Sequence, residues 1–472
     1  MKRLPQDPAE DPSPGALRAF LEQCRAQAQA AGRPQLVSIS LAVDDLDPLA
    51  VLESIYEPGE LHFYAERPGS GFGVAGAEAV REFSAAGPDR FAAARAFIAR
   101  TLDDTLAVGA LEAPFAGPHF FLAAGFAPEA APGAPFPALR VFVPRWQVSR
   151  MGDGSVAVAN LVVTPDAPVD LIAAKVAKAH AKFTSFDYRA ASRRDRPSGL
   201  VREEELGADF RAAVRTALGE IARGDYRKVV LGRARRLVAA EPFHPLGVLN
   251  HLRLRFPACY AFSVADGAGR SFIGASPERL VRVVGGRMHT EALAGSAPRG
   301  ATASEDAALA RELLHSDKDL REHRLVLESI ARRVGDLGLR LEHAAHPRLL
   351  GLANVQHLHT PVSAALPGDV HILDLVARLH PTPAVGGTPR AAATAAIARL
   401  EGFARGLYAG PLGWVDWKGE GEFIVGLRSA LIDGAAATAY AGAGIVAGSD
   451  PEKEFAETEL KFKALLDALV ET

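Results

Sequence analysis

The chain is built largely from short strand-like runs with helical segments between them, and this pattern limits its fold more than any other feature. Alternating apolar and polar residues run through 36–41, 61–64, 258–264, 280–284 and 412–417. The helical segments do not alternate with these runs in a regular strand–helix–strand repeat. Because strands joined by short turns usually pair antiparallel, the pattern predicts an α+β fold with mainly antiparallel sheets.

The composition narrows the class of protein. The 472 residues are 48% apolar and carry a formal net charge of −3, as in ordinary globular proteins. That charge gives no reason to expect a nucleic acid or a membrane as partner. Cys24 and Cys259 lack the spacing of a metal site, and the N-terminal segment lacks an apolar signal core. No apolar run is long enough to span a bilayer, so we expect a cytoplasmic protein.

A polar and basic stretch at 185–203 is the best candidate for an internal boundary. Its arginines are more typical of a solvated loop than of a nucleic-acid patch. We therefore divide the chain into an N-terminal subdomain, 1–200, and a second domain, 201–472. The first part contains predicted helices at 16–31 and 169–184.

One glycine motif admits two interpretations. Gly71, Gly73 and Gly76 have the GxGxxG spacing of a dinucleotide-binding loop. That function requires a strand, a tight turn and then a helix. Here Pro68 interrupts the approach and Val74 continues a strand-like run, so we favour a glycine-rich strand.

The second half gives sharper signals for individual elements. An apolar stripe predicts a helix over 204–223, and a strand follows at 228–238. A long helix is expected at 319–334. Near the C-terminus the pattern predicts one strand over 421–431.

Carboxylates recur in pairs on two predicted helices. Asp319 and Glu322 are three residues apart, as are Glu454 and Glu457, so each pair shares a helix face. Lys461 lies one turn further along the second helix. Two such helices could hold a hard cation such as Mg²⁺ between them. Solvated charged faces explain the same spacing and remain the alternative.

Two ionisable residues occupy strand-like runs where apolar residues are expected. Lys228 opens the run before Val229, and Glu278 follows Pro277. A lysine base must have a lowered pKa, and a glutamic acid donor a raised one, to serve as a catalytic pair. The alternatives are a lysine that extends to solvent and an edge-strand carboxylate.

Several further features fit an anion site. Glycine-rich turns at 293–296, 385–387 and 441–444 could let backbone N–H groups approach an anion, or simply end strands. Arg428 is a cation in an otherwise apolar strand. Its burial needs a carboxylate partner, which a bound substrate would supply.

Nine stretches of the second half, taken together, resemble the chorismate-binding enzymes. They follow the order and approximate spacing of that family across about 205–470, whereas 1–200 resembles its variable N-terminal half only loosely. The family includes isochorismate synthase, salicylate synthase, anthranilate synthase component I and aminodeoxychorismate synthase. The stretches are KVVLGR, FIGASPERL, EALAGSAPRG, SDKDLREH, VQHLHT, LHPTPAVGG, YAGPLGWVD, IVGLRSA and GAGIVAGSDPEKEFAETELK.

The resemblance implies a fold and a reaction. The fold is a single α/β unit of two stacked, mainly antiparallel sheets flanked by helices, as in anthranilate synthase component I. The family members that use water carry lysine at the position of Lys228, and those that use ammonia usually carry glutamine. Lys228 therefore resembles the base that activates water at C2 of chorismate, and Glu278 the acid that protonates the departing C4 hydroxyl. The product would be isochorismate.

The resemblance also implies ligands for Mg²⁺ and for the substrate. Glu322 and Glu457 resemble metal ligands, with Glu454 and Asp319 as water-mediated partners. The groups that would bind substrate carboxylates are Arg428, Tyr408 and Lys461. The remaining residues that would line the pocket are Gly295, Ser296, His357, Thr360 and Gly442.

Partners and pathway follow from the same resemblance. We expect chorismate as substrate, no glutaminase subunit, and a monomer or weak homodimer, with a role in menaquinone biosynthesis. The alternatives are an isochorismate synthase of siderophore biosynthesis and a salicylate synthase, which shares the lysine and then eliminates pyruvate. Ala384, where salicylate synthases tend to carry threonine, favours stopping at isochorismate. A non-catalytic chorismate-binding protein is the alternative from another class.

Overall fold

The computed structural model describes residues 1–4, 13–43, 45–184, 197, 199–351 and 355–470. Most of the predicted linker at 185–203 lies outside the described residues. None of the helices in these described ranges is long and apolar enough to cross a lipid bilayer.

The N-terminal part up to residue 184 combines four α-helices with eight strands in its described ranges. The helices are α1 (Pro14–Ala31), α2 (Pro48–Ser54), α3 (Arg90–Asp103) and α4 (Val169–Thr184). The strands are β1 (Lys2–Arg3), β2 (Gln35–Val43), β3 (His62–Arg67), β4 (Phe72–Ala85), β5 (Thr105–Gly109), β6 (His119–Ala124), β7 (Leu139–Met151) and β8 (Gly154–Val163).

The part from residue 200 onward carries the remaining elements. Its helices are α5 (Phe210–Arg223), α6 (Pro245–Arg255), α7 (Ala303–His315), α8 (Asp317–Gly335), α9 (Ile372–Leu379), α10 (Arg390–Leu400) and α11 (Pro451–Leu469). Its strands are β9 (Leu200–Leu206), β10 (Lys228–Ala239), β11 (Tyr260–Ala265), β12 (Arg270–Ser276), β13 (Arg279–Val284), β14 (Arg287–Pro298), β15 (Glu342–His343), β16 (Arg348–Gly351), β17 (Val355–Ala365), β18 (Gly387–Thr388), β19 (Pro411–Asp416), β20 (Gly421–Val425), β21 (Ser429–Asp433) and β22 (Ala436–Val446).

The strands form two layers that share β7. One layer pairs in the order β4, β3, β11, β12, β21, β22, β10, β9. The other pairs in the order β6, β19, β20, β13, β14, β17. Strand β7 pairs with both β4 and β6 and so connects the layers. All these pairings are antiparallel, and parallel pairing occurs where β5 meets β1 and β2.

Aromatic side chains pack between the two layers. Phe63 of β3 stacks on Phe121 of β6, with ring centroids 4.7 Å apart. Phe72 of β4 stacks on Trp414 of β19 at 5.0 Å. Such rings bury large apolar areas and hold the sheets together. The predicted α+β fold with stacked, mainly antiparallel sheets is confirmed.

The starts of two helices account for some of their acidic residues. The Ser316 side chain caps α8 and accepts a hydrogen bond from the Asp319 N–H, and Asp450 caps α11 in the same way. Negative charge in the first turn stabilises a helix by about 0.3–1 kcal/mol. Glu322 and Glu457 lie beyond the first turn, so this charge effect does not account for them.

The predicted helix over 204–223 is wrong at its beginning. Residues Leu200–Leu206 form strand β9, and the helix begins only at Phe210 after the Asp209 cap. Glutamates are good helix formers, but here they pair with the arginines of β10. Arg235 donates from Nε to Glu205 Oε1 at 2.6 Å. Tertiary pairing therefore overrides local propensity.

The predicted single strand over 421–431 is also wrong. It divides into β20 and β21, with Arg428 between them at a φ of 48°. This left-handed conformation is uncommon for a residue with a side chain and ends the ladder. The break turns the Arg428 backbone out of the strand direction.

The GxGxxG stretch is a strand, as the sequence favoured. Gly73 and Gly76 lie within β4. A Cβ atom on Gly76 would lie 2.5 Å from the Phe121 ring, so this glycine permits close packing of the layers.

Pairing crosses the proposed domain boundary. Strand β3 pairs with β11, and β6 pairs with β19, so each layer contains strands from both halves. The division at residue 200 stays a prediction, but both parts contribute to one core.

Candidate active site

Lys228 occupies the start of β10 in a half-buried position. Its side chain is 12% exposed, and Nζ donates to Glu322 Oε1 at 2.7 Å. It passes over Gly444 on the paired strand, where an added Cβ would lie 3.2 Å from Lys228 Cε. The glycine thus leaves room for the lysine to lie along the sheet.

Glu278 lies in the turn between β12 and β13. The Thr382 hydroxyl donates to Glu278 Oε1 at 3.3 Å. Burial, followed by the negative charge of Glu291, raises the pKa of Glu278 to about 7, although Thr382 and the charge of Lys228 act in the opposite direction. The predicted acid and base therefore lie near enough to interact, and a neutral, proton-bearing Glu278 is accessible near neutral pH.

Glu322 reaches this region from α8. Burial favours its neutral form, but the charge and hydrogen bond of Lys228 outweigh burial, and the pKa of Glu322 is lowered overall. An ionised Glu322 holds Lys228 in an ion pair within a largely desolvated environment.

The second predicted acidic pair lies on α11. Burial raises the pKa of Glu454; a hydrogen bond from Ser449 opposes this, and the neighbouring charge of Glu457 adds to it. Lys318 of α8 acts electrostatically on Glu454 and also on Glu322. The acidic faces of α8 and α11 are thus near a common cation.

The carboxylates are not gathered around one point. Glu322 is bound by Lys228, Glu457 accepts from Lys461 Nζ at 2.7 Å, and Asp319 accepts from the Ser316 hydroxyl. Across the described ranges, no three His, Cys, Asp or Glu side chains lie close enough to hold a metal ion. Carboxylate oxygens are nevertheless the donors that Mg²⁺ prefers. The predicted set fits Mg²⁺ by donor chemistry and stays a prediction.

A group of cations marks the other end of the site. The Arg428 guanidinium contacts Cys259 Sγ at 3.8 Å, and within the described chain it has no carboxylate within ion-pair distance. Lys461 Nζ donates to the Gly442 carbonyl at 2.8 Å. Charges of Arg428 and Lys461 both act on His357. The group is suited to bind an external carboxylate.

His357 links this cationic group to β14. Its Nδ1 is hydrogen-bonded to the Ser296 hydroxyl at 2.7 Å. Burial, with help from Arg428 and Lys461, lowers the pKa of His357 to about 4, so the ring is neutral near pH 7. A neutral imidazole can accept or donate one hydrogen bond to a bound oxygen without adding charge.

Glycines shape the approach to these groups. A Cβ on Gly442 would lie 2.6 Å from the Tyr408 hydroxyl, so Tyr408 packs directly against this strand. Gly295 has a φ of 76°, and a Cβ there would lie 3.0 Å from Asp319 Cβ. Both glycines therefore permit close packing beside predicted site residues.

Thr360 is the predicted pocket residue that does not share the face of His357. The two are three residues apart on β17, so their side chains point to opposite faces. The Thr360 hydroxyl is hydrogen-bonded to His323 of α8 at 2.8 Å and is buried. Thr360 thus secures α8 against the sheet. His359, two residues from His357, shares its face.

Sequence reasoning missed four residues around the proposed acid and base. Glu291 and Thr382 act on Glu278, His359 is hydrogen-bonded to Glu291, and Gly444 leaves room for Lys228. A charged residue at an alternating position of the strand-like stretch HTEALAG was the one signal that could have indicated Glu291. The others depend on contacts between residues far apart in the sequence.

Residues 19–470 match the model of a family described as chorismate binding enzyme. Because the match covers nearly the whole sequence, the chain belongs to the chorismate-binding enzymes.

Particular relatives are isochorismate synthases by name. The salicylate biosynthesis isochorismate synthase of Pseudomonas aeruginosa is 37% identical over 462 residues, which cover 96% of this chain and 94% of that protein. Isochorismate synthase MenF of Bacillus subtilis is 35% identical over 329 residues, covering 70% of this chain and 69% of that protein.

Solved structures give the same grouping. MenF, the menaquinone-specific isochorismate synthase from Escherichia coli, superposes with a TM-score of 0.78 at 28% identity and covers 96% of this chain and 99% of its own. Anthranilate synthase component I from Streptococcus pneumoniae gives a TM-score of 0.66 at 22% identity, covering 84% of this chain and 92% of its own, and shares the fold.

Proposed function

We propose that this protein is an isochorismate synthase, an isomerase that exchanges the C4 hydroxyl of chorismate for one at C2. One observation carries the proposal: a largely buried lysine at the start of β10 and a glutamic acid between β12 and β13, with its pKa raised by burial to about 7, lie near enough to interact. A reaction that takes a proton from water and gives one to a leaving hydroxyl needs such a pair. The names of the relatives support the same activity.

Each of the two residues has a defined proton transfer. Lys228 Nζ, in its neutral form, accepts a proton as a water oxygen bonds to C2. Glu278 gives its proton to the C4 oxygen as the C4–O bond breaks, and the ring double bonds shift between these positions. The second water leaves, so atoms and charge balance. Lys228 must first give up its ion pair with Glu322, which therefore needs another positive partner.

Binding of the substrate carboxylates is the role of the cationic end. Arg428 has no carboxylate within ion-pair distance among the described residues. The charges of Arg428 and Lys461 both act on His357, so the two cations lie in the same region. We assign the enolpyruvyl carboxylate to this group. The Ser296 hydroxyl and the Tyr408 side chain complete the walls.

We infer Mg²⁺ as cofactor, held by Glu322 and Glu457, with Glu454 and Asp319 as outer partners. When bound, Mg²⁺ would fix and neutralise the ring carboxylate of the substrate. The raised pKa of Glu454 beside Glu457 supports a site that gains from an added cation.

The use of the product is also a proposal. Names of the relatives include both salicylate and menaquinone biosynthesis, and the proposed chemistry serves either. We keep menaquinone biosynthesis, a cytoplasmic location and independence from a glutaminase subunit as predictions.

Product analysis tests the proposed function. Purified protein is incubated with chorismate and Mg²⁺, and the products are separated by liquid chromatography, with EDTA in a parallel sample. We expect isochorismate alone, and its loss with EDTA. Salicylate with pyruvate would assign the protein to the salicylate synthases. No conversion would support a binding protein.

A further inference from the structure

Glu291 is a negative charge held inside the sheet beside the proposed acid. Its side chain is 13% exposed, and His359 Nε2 donates to its Oε2 at 2.6 Å. Its Oε1 lies 3.9 Å from Arg279 Nε. Burial would raise the pKa of Glu291, but His359, Arg279 and Arg67 together lower it. Glu291 is therefore ionised near neutral pH.

The strands place this charge close to Glu278. Arg279, which follows Glu278 directly, contributes the nearest guanidinium to Glu291. Strands β13 and β14 pair, and the Thr290 hydroxyl donates to the Leu280 carbonyl at 2.7 Å. These contacts fix Glu291 next to the beginning of β13.

The other groups that face Glu278 act in the opposite direction. Lys228 approaches from β10 and the Thr382 hydroxyl from the segment after α9, and both favour the ionised carboxylate. Burial and Glu291 favour the protonated form.

We propose that Glu291 is a positioning residue that keeps Glu278 protonated, with His359 and Arg279 holding its carboxylate ionised and in place. A fixed negative charge near a buried carboxyl group disfavours a second negative charge there, so ionised Glu291 opposes ionisation of Glu278. Glu291 itself gives no proton to the substrate. The catalytic part of this inference rests on the proposed function, whereas the effect on Glu278 does not.

Direct titration of Glu278 tests the proposal. The protein is labelled with ¹³C at the glutamate carboxyl carbons, and the Glu278 signal is assigned by its loss in Glu278→Gln. In Glu291→Gln we expect the midpoint of Glu278 to fall by about one pH unit. The limb of the kcat/KM profile with its midpoint near pH 7 should move in the same direction.

Two further variants make the test specific. Glu291→Asp moves the negative charge back by one methylene group. It should lower the titration midpoint of Glu278 by less than Glu291→Gln does. Glu342→Gln removes an exposed carboxylate from β15 of the same layer and should leave the midpoint unchanged. If Glu291→Gln does not fold, as judged by circular dichroism, Glu291→Asp carries the test.

The outcomes separate this proposal from the proposed function. An unchanged Glu278 midpoint in the folded Glu291 variants would overturn the role of Glu291, even if the protein makes isochorismate. A lowered midpoint in a protein that makes no isochorismate would support the electrostatic role and reject the synthase activity. Loss of thermal stability without a change in titration would assign Glu291 a purely structural role and overturn the proposal.

Discussion

Glu278 is influenced by its neighbours in two opposing directions. Burial and Glu291 raise its pKa to about 7, while Thr382 and Lys228 favour ionisation. At neutral pH the carboxyl group is divided between its two forms, which is the condition under which proton transfer in either direction is efficient. The proposed reversible exchange of hydroxyl groups needs this property, because in the proposed roles Glu278 gives a proton in one direction and accepts one in the other.

Replacement of the proposed base gives the simplest prediction for a single residue. In Lys228→Ala we expect kcat to fall by at least about 10²-fold, because general-base catalysis contributes about 10²–10⁴. KM for chorismate should change little, because the proposed carboxylate ligands are elsewhere. Steady-state kinetics measures both. Lys463→Ala, an exposed lysine of α11, is the control. An unchanged kcat in Lys228→Ala would remove the lysine from its role.

Folding stability should depend on pH through Glu278. The unfolded carboxyl titrates near 4.5 and the folded one near 7, so between these values the folded state binds more protons. Stability therefore falls as the pH rises through this range, and the loss is complete above pH 7. Glu278→Gln should be more stable than the natural protein at pH 8, by up to about 3 kcal/mol. Urea unfolding at pH 5 and pH 8 measures the difference; equal differences at both pH values would contradict the shift.

Residue types and positions in the sequence were enough to select Lys228 and Glu278, because charged side chains are unexpected in apolar strand-like runs and therefore indicate a possible function. Their mutual approach was not predictable from spacing. It depends on contacts between β10, the β12–β13 turn and α8. For the same reason Thr382 could not be found from its own motif, since its hydroxyl acts on a residue 104 positions away.

Elements differ in how far local patterns determine them. The signals for α8 are local, because its apolar stripe and its Ser316 cap belong to the same short segment of the chain. The predicted bounds, 319–334, are therefore close to the observed ones, Asp317–Gly335. The glutamates before α5 favour a helix locally, but the arginines of β10 draw them into a strand. Local sequence also fails to predict the left-handed backbone of Arg428, since this conformation depends on how β20 and β21 pack. Local propensity predicts an element correctly unless contacts with residues distant in sequence stabilise a different conformation more strongly.

The acidic faces of α8 and α11 give a prediction at the scale of elements. If they bind Mg²⁺ together, Glu322→Gln on one helix and Glu457→Gln on the other should each weaken Mg²⁺ binding at least about tenfold. Isothermal titration calorimetry of the substrate-free protein measures this. Glu452→Gln is the matched control, because Glu452 lies on α11 but is exposed and paired with Arg211. If the two variants bind Mg²⁺ like the natural protein, the site is elsewhere.

At the scale of the whole molecule, the two halves share both sheets. The sequence suggested a boundary near residue 190 and, through the family resemblance, one α/β unit. The pairings β3–β11 and β6–β19 make a sequence boundary compatible with a single α/β unit, because the N-terminal half contributes strands to each layer. The order of strands within the layers was not predictable, since each pairing joins segments distant in sequence.

A core substitution in one half should therefore destabilise the other. Leu122 of β6 is 1% exposed, and Leu122→Ala should reduce stability by about 2–5 kcal/mol. In a Trp146→Phe background, fluorescence comes only from Trp414 and Trp417 in the C-terminal half. We expect the urea midpoint of that signal to fall. Leu254→Ala, at a 69% exposed position, should leave it unchanged. A midpoint unaffected by Leu122→Ala would mean that the halves unfold separately.

The origin of the oxygen at C2 tests the central claim most directly. Chorismate is converted in H₂¹⁸O with Mg²⁺, and isochorismate from the earliest part of the reaction is analysed by mass spectrometry. If Lys228 activates water at C2 while Glu278 protonates the departing C4 hydroxyl, each product molecule carries one ¹⁸O at C2. Unlabelled isochorismate would show that the hydroxyl moves within the substrate, and would contradict the roles assigned to both residues.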